Sequence, residues 1–187
     1  MRHLLLLLPL TLLAAGCRSG PQPPAASDPP TPGYERVKAP NLSFAVDLPE
    51  GWQVVRTAPQ LAVLERRRPR ALRWQLYLWE ASFQPASKGE EEKQRAIDKF
   101  QNGLLPQLAP AGAQLHVMTS EVQRTGWLPG RLVQAEAAIR RDRRLVVAWI
   151  GVYRERLYAI GGVSPPAAQL ELRETLDHAI ASLRPKM

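Results

Sequence analysis

Side chains able to do chemistry are few and widely spaced in this 187-residue chain. It holds one cysteine, Cys17, and three histidines, of which His116 and His178 stand in the body of the sequence. A single thiol can form neither an internal disulfide nor a multi-cysteine metal centre. His116 interrupts the apolar run Leu115-His116-Val117, and His178 follows Asp177 in a helical stretch. Neither has a third ligand at metal spacing, so both are read as satisfied or solvated histidines. Glu90-Glu91-Glu92 puts three carboxylates together, but neighbouring acids in a first helical turn match the helix dipole and are read as a solvated face. There is no phosphate loop and no Gly-x-Ser-x-Gly elbow. Gly161-Gly162 lacks the spacing of a dinucleotide site and marks a bulge or close packing. The sequence therefore assigns no catalytic residue, metal site or cofactor, and the protein is expected not to be an enzyme.

Arginine is the unusual signal. Lys and Arg number 25 against 17 Asp and Glu, a formal charge of +8. Arg66, Arg67, Arg68, Arg70 and Arg73 surround Pro69, and Arg140, Arg141, Arg143 and Arg144 cluster at an expected hairpin. Guanidinium forks pair well with phosphate and carboxylate, so two such turns on one rim would grip anionic lipid, polysaccharide phosphates or an acidic protein. Charged turns that blunt sheet edges give the same pattern, and both readings stay open.

The amino terminus says where the protein works. Met1-Arg2-His3 leads into a run from Leu4 to Leu13. Ten helical residues rise only about 15 Å, half a bilayer core, which suits a secretory signal and not a permanent span. Ala14-Ala15-Gly16-Cys17 then resembles the lipobox of bacterial lipoproteins, with Ala14 where Leu is usual. That resemblance implies cleavage before Cys17 and a diacylglyceryl group on its sulfur; the other reading is an ordinary signal cut near Ala15. Removing 16 of the 187 residues, Arg2 among them, leaves 171 and lowers the charge from +8 to +7. Arg18 after the cysteine, by the lipoprotein sorting pattern, implies the outer membrane facing the periplasm. Export makes nucleic acid a poor partner. The expected partners are the membrane, through the anchor, and an envelope protein or an anionic lipid or polysaccharide.

Residues 17–36 form a tether: six prolines fall between Arg18 and Gly33 among Ser, Gly, Ala and Gln. In polyproline II the sixteen residues from Arg18 to Gly33 span up to about 50 Å at about 3.1 Å per residue. Residues 37–187 form the domain. Phe44, Val46 and Leu48 alternate into a strand stopped by Pro49-Glu50-Gly51, and Trp52–Arg56 and Leu61–Glu65 continue as strands. Trp74–Trp79 and Leu145–Tyr153 are apolar on both faces and belong inside a covered sheet. Leu115–Arg124, Arg131–Arg140, Leu145–Tyr153 and Leu157–Val163, joined by short polar turns, predict an antiparallel meander. One helix is expected from a Ser87–Glu90 capping box to Pro106, and a second from a Ser164 cap through Leu172, Leu176 and Ile180 to Leu183. The fold class is α+β, an antiparallel sheet of six to seven strands flanked by helices.

The stretch Ser43-Phe44-Ala45-Val46-Asp47-Leu48-Pro49-Glu50-Gly51-Trp52, a long helix, a four-strand meander and a closing helix ending Ile180-Ala181-Ser182-Leu183 together resemble the Mog1/PsbP-like superfamily, including lipoprotein domains of the DcrB type. The resemblance covers Val37 to Leu183 and implies an α/β/α sandwich with binding and assembly roles. The function expected is a lipid-anchored, non-enzymatic accessory factor. The alternative is a small-molecule or lipid carrier, with a pocket between sheet and helix and Trp52, Trp79 or Trp127 at its mouth.

Overall fold

The computed structural model describes residues 25, 28–66, 75–83, 89–125 and 127–185. Seven antiparallel strands form the main sheet, in the order β3-β4-β5-β9-β8-β7-β6: β3 Trp52–Ala58, β4 Leu61–Arg66, β5 Gln75–Ser82, β6 Gln114–Thr125, β7 Leu128–Ile139, β8 Asp142–Tyr153 and β9 Arg156–Ser164. A smaller sheet joins β1 Tyr34–Lys38, β2 Phe44–Pro49 and β10 Arg184–Pro185 in the order β1-β2-β10. Helix α1, Glu90–Leu108, packs on β8 and β9; helix α2, Gln169–Ala181, packs on β9, β8 and β2.

Side-chain alternation builds these layers. On one face Val133, Ala135, Val146, Ala148 and Ala159 meet Ile97, Leu104 and Leu108 of α1. On the other, Leu64, Leu76, Trp149 and Ile160 meet Leu172, Leu176 and Ile180 of α2 together with Phe44, Val46 and Leu48 of β2. Each such aliphatic side chain contributes about 1.5–3 kcal/mol by leaving water. The expected two-sided strands β5 and β8 are buried along most of their length and lie within the sheet, with β9 between them. The meander β6-β7-β8-β9 forms as expected. Gly161 and Gly162 mark close packing and no bulge: a Cβ on Gly161 would sit 3.1 Å from Leu108 Cδ1, and one on Gly162 would sit 2.4 Å from Leu172 Cδ1. Each glycine makes room for a leucine of one helix, Leu108 of α1 or Leu172 of α2.

Local details differ from expectation at several points. β1 begins at Tyr34, ahead of the expected boundary at 37, and β10 adds a strand after the closing helix. The N-cap of α1 is Gly89, with no side-chain cap bond; Ser87 lies outside the described residues. Pro106 is inside α1, which ends two residues later at Leu108. Proline there forfeits one backbone bond in the last turn, while Leu104, Leu105 and Leu108 keep that turn on the core. Ser164 closes β9, so it caps nothing: a 3-10 turn, Pro166–Ala168, separates it from α2.

Candidate functional site

Three polar features stand out on this frame. The first is a buried ion-pair hub at Asp47, on the face of β2 opposite Val46 and Leu48. Its carboxylate accepts from Arg184 Nη1 at 2.8 Å and from Arg36 Nε at 3.1 Å. The Asp47 amide donates to Ser182 Oγ at 2.8 Å. The same guanidiniums hold the incoming chain: Arg184 Nε donates to the carbonyl of Ala25 at 3.2 Å, and Arg36 Nη2 to that of Asp28. Nearby, His178 stacks on Tyr34 with ring centroids 3.7 Å apart. Burial holds the His178 imidazole below its ordinary value; Asp47 opposes that shift and Arg184 adds to it. Strands β1 and β10 thus meet at one carboxylate, the end of α2 joins them through the Asp47 amide, and the backbone at Ala25 and Asp28 is held by the same two arginines.

The second is a polar cleft of about 130 Å³ lined by Asn41, Ser43, Gln60, Glu80, Ser82 and Arg156. Glu80, at the end of β5, is buried. Its carboxylate accepts from the Ser43 amide at 2.5 Å, from the Ser43 hydroxyl and from Arg156. Burial raises the Tyr158 phenol above its ordinary range, Glu80 adds to this, and a hydrogen bond with Ser43 works against it. Ser43 beside a carboxylate is half of a nucleophile arrangement, but the acid already accepts three donors and no imidazole lies between the two. The cluster fixes the β1–β2 connection to the sheet.

The third is the basic rim. Residue pairings put the end of β4, the start of β5, the end of β9 and the start of β8 at one end of the main sheet. Arg66 and the hairpin of Arg140, Arg141, Arg143 and Arg144 therefore share that end. Arg67, Arg68, Arg70 and Arg73 lie outside the described residues, as does Cys17. Several arginines are engaged: Arg66 with Glu171 at 3.0 Å, Arg144 with Asp142 at 3.0 Å and Arg143 with Glu136 at 3.5 Å. Arg140 and Arg141 are exposed at the tip with no ion pair among the described residues. Arg140 also has φ of 53°, a left-handed conformation that favours glycine.

His116 is exposed on β6 opposite Glu136. Among the described residues no group of three or more His, Cys, Asp or Glu could hold a metal ion. The indoles of the carrier alternative do not form a mouth: Trp52, Trp79 and Trp127 are all buried, Trp79 stacked on Tyr77 and Trp127 donating to the Leu183 carbonyl at 2.9 Å. Sequence reasoning missed Asp47, Glu80, Arg36 and Arg184. The available signal was an acid within or at the end of an otherwise apolar strand.

No protein-family model matches the sequence, and no curated protein matches it. Solved structures do. Cyanobacterial PsbP from Synechocystis sp. PCC 6803 superposes with a TM-score of 0.61 at 12% identity, covering 82% of this chain and 92% of that one. LpqN, involved in cell envelope biogenesis of Mycobacterium tuberculosis, gives 0.53 at 11% identity over 80% and 88%. A structure from Bacteroides thetaiotaomicron gives 0.58 at 10% identity over 83% of this chain, which spans about half (49%) of that longer one. The fold is Mog1/PsbP-like, as the resemblance implied.

Proposed function

We propose that the protein is a lipid-anchored component of the bacterial cell envelope whose domain acts as a non-enzymatic binding or assembly accessory factor. One observation carries this reading: a short apolar leader, Cys17 and a proline-rich stretch run in that order into a domain with the Mog1/PsbP-like fold. The likeness to LpqN, a protein of cell envelope biogenesis, supports the envelope setting. Among the described residues no helix is long and apolar enough to cross a membrane. The sulfur of Cys17 then carries the acyl chains, each buried methylene adding about 0.8 kcal/mol of membrane affinity, and Arg18 favours the outer membrane. The test is growth with an alkyne-tagged palmitate followed by fractionation. Wild type takes up label and fractionates with the outer membrane, and Cys17→Ala loses both; unchanged membrane retention of Cys17→Ala refutes the anchor.

A second reading, contact with anionic lipid or polysaccharide, rests on the exposed guanidiniums of Arg140 and Arg141. Co-sedimentation with phosphatidylglycerol vesicles tests it. Replacing Arg140, Arg141, Arg143 and Arg144 by Gln then weakens binding at low salt, and the difference fades as salt screens the charge; equal binding at low salt refutes it.

A further inference from the structure

We propose that the outer edge of β6, with Arg140 and Arg141 at its head, is a docking strand for an extended segment of a partner protein that carries alternating apolar residues and an acidic carboxyl-terminal end. This rests on the reading of the domain as a binding module and names the surface and the partner chemistry.

β6 pairs only with β7, so along twelve residues its other edge presents backbone donors and acceptors that no strand among the described residues takes up. Such edges are usually blunted with Lys, Pro or a cover. Here the edge carries no lysine or proline; Glu121 is exposed on it, and so are Val117, Met118 and Val122, at 43%, 46% and 68%. Those are three of the five large exposed hydrophobics of the described residues; Val55 and Leu170 are the others. A bulge at Met118 interrupts the pairing with β7, but both faces of the strand are braced. Ser120 Oγ meets Gln101 of α1 at 3.3 Å, and Arg173 of α2 donates to Gln123 Oε1 at 3.1 Å. The edge is held ready, which lowers the ordering cost of adding a strand.

Charge selects the occupant. Gln114, the first residue of β6, pairs with Ala138, two residues before the hairpin tip. A strand added antiparallel to β6 therefore brings its carboxyl-terminal end toward Arg140 and Arg141. Arg140 takes the left-handed conformation that a two-residue hairpin turn uses, as Arg154 does in the β8–β9 turn, and its side chain makes no ion pair among the described residues. Its guanidinium and that of Arg141, both exposed, are therefore open to a carboxylate. A second copy fits less well, because antiparallel β6–β6 pairing would set Arg140 and Arg141 of one copy beside position Arg124 of the other.

The test uses purified full-length protein and a fluorescein-labelled ten-residue peptide that alternates Val with Thr and ends in Asp-Glu-Asp. Anisotropy should show binding at least tenfold weaker for Val117→Lys/Val122→Lys and several-fold weaker, in a salt-dependent way, for Arg140→Gln/Arg141→Gln. Val55→Lys, on the opposite sheet edge, should bind as wild type. Amide exchange should slow at residues 116–122 on binding, and circular dichroism confirms that each variant folds. Equal binding by the Val55 and Val117/Val122 variants, insensitivity to the arginine changes, absence of binding, or a wild-type dimer that Val122→Lys splits overturns the proposal. Acyl labelling of Cys17 is read separately, so failure here leaves the anchor reading standing.

Discussion

Arg184 Nη1 lies 2.8 Å from Asp47 Oδ2, across 137 residues of sequence. The contact joins the last strand to the second, and Arg36 completes it from the first. Both acidic and basic heads are largely removed from water, so each needs the other.

Asp47→Ala should lower folding stability by about 3–5 kcal/mol, since the substitution leaves guanidinium charge in a buried site without its carboxylate. Urea denaturation followed by tryptophan fluorescence measures it. A loss below about 1 kcal/mol would mean that the hub is solvated and not structural.

His178 gives the hub a pH dependence. Burial holds the folded imidazole below its ordinary 6.5, with Asp47 opposing and Arg184 assisting. Below 6.5 the unfolded chain therefore binds a proton that the folded chain resists. The His178 contribution is present above that value and is lost as pH falls through the folded pKa. The urea midpoint should drop from pH 7 toward pH 5 more steeply in wild type than in His178→Gln. Parallel slopes would remove His178 from the account.

Arg140→Gly should raise stability by up to about 1 kcal/mol, because glycine enters the left-handed region without steric cost. The same change should weaken peptide binding. A gain in stability with loss of binding is the signature of a residue retained for contact.

Gly130 and Gly151 face each other across β7 and β8 and make room for Trp149. A Cβ on Gly151 would lie 2.4 Å from Trp149 Cη2. Gly151→Ala should cost about 1–3 kcal/mol by overpacking. In a Trp149→Phe background, where that ring atom is gone, the added cost should shrink. Equal costs in both backgrounds would show that the indole is not what constrains the glycine.

Strand alternation made most of the fold legible. Phe44, Val46 and Leu48 announce β2, and two-sided apolar runs locate β5 and β8 inside the sheet. β1 was hidden because Tyr34–Lys38 is polar and gains its strand character only by pairing with β2; β10 is two residues long. Ser87 and Ser164 have cap chemistry, yet Gly89 and Ala168 hold the cap positions, since tertiary packing sets where each helix begins. The site was less legible for a different reason. Composition reveals an excess of arginine, but only registry shows that Arg66, Arg143 and Arg144 already face acids while Arg140 and Arg141 do not. A lone acid such as Asp47 or Glu80 looks like the wet face of a strand until distant guanidiniums are brought beside it.

The grip of Arg184 on Ala25 and of Arg36 on Asp28 bears on how far the proposed anchor could let the domain reach. On the lipid-anchored reading, the reach from Cys17 to Ala25 is bounded by eight residues of sequence, about 25 Å at about 3.1 Å per residue, against about 50 Å for the whole proline-rich stretch. The domain would then patrol a shell close to the bilayer, and loosening the hub would lengthen its reach without changing a single residue of the leash.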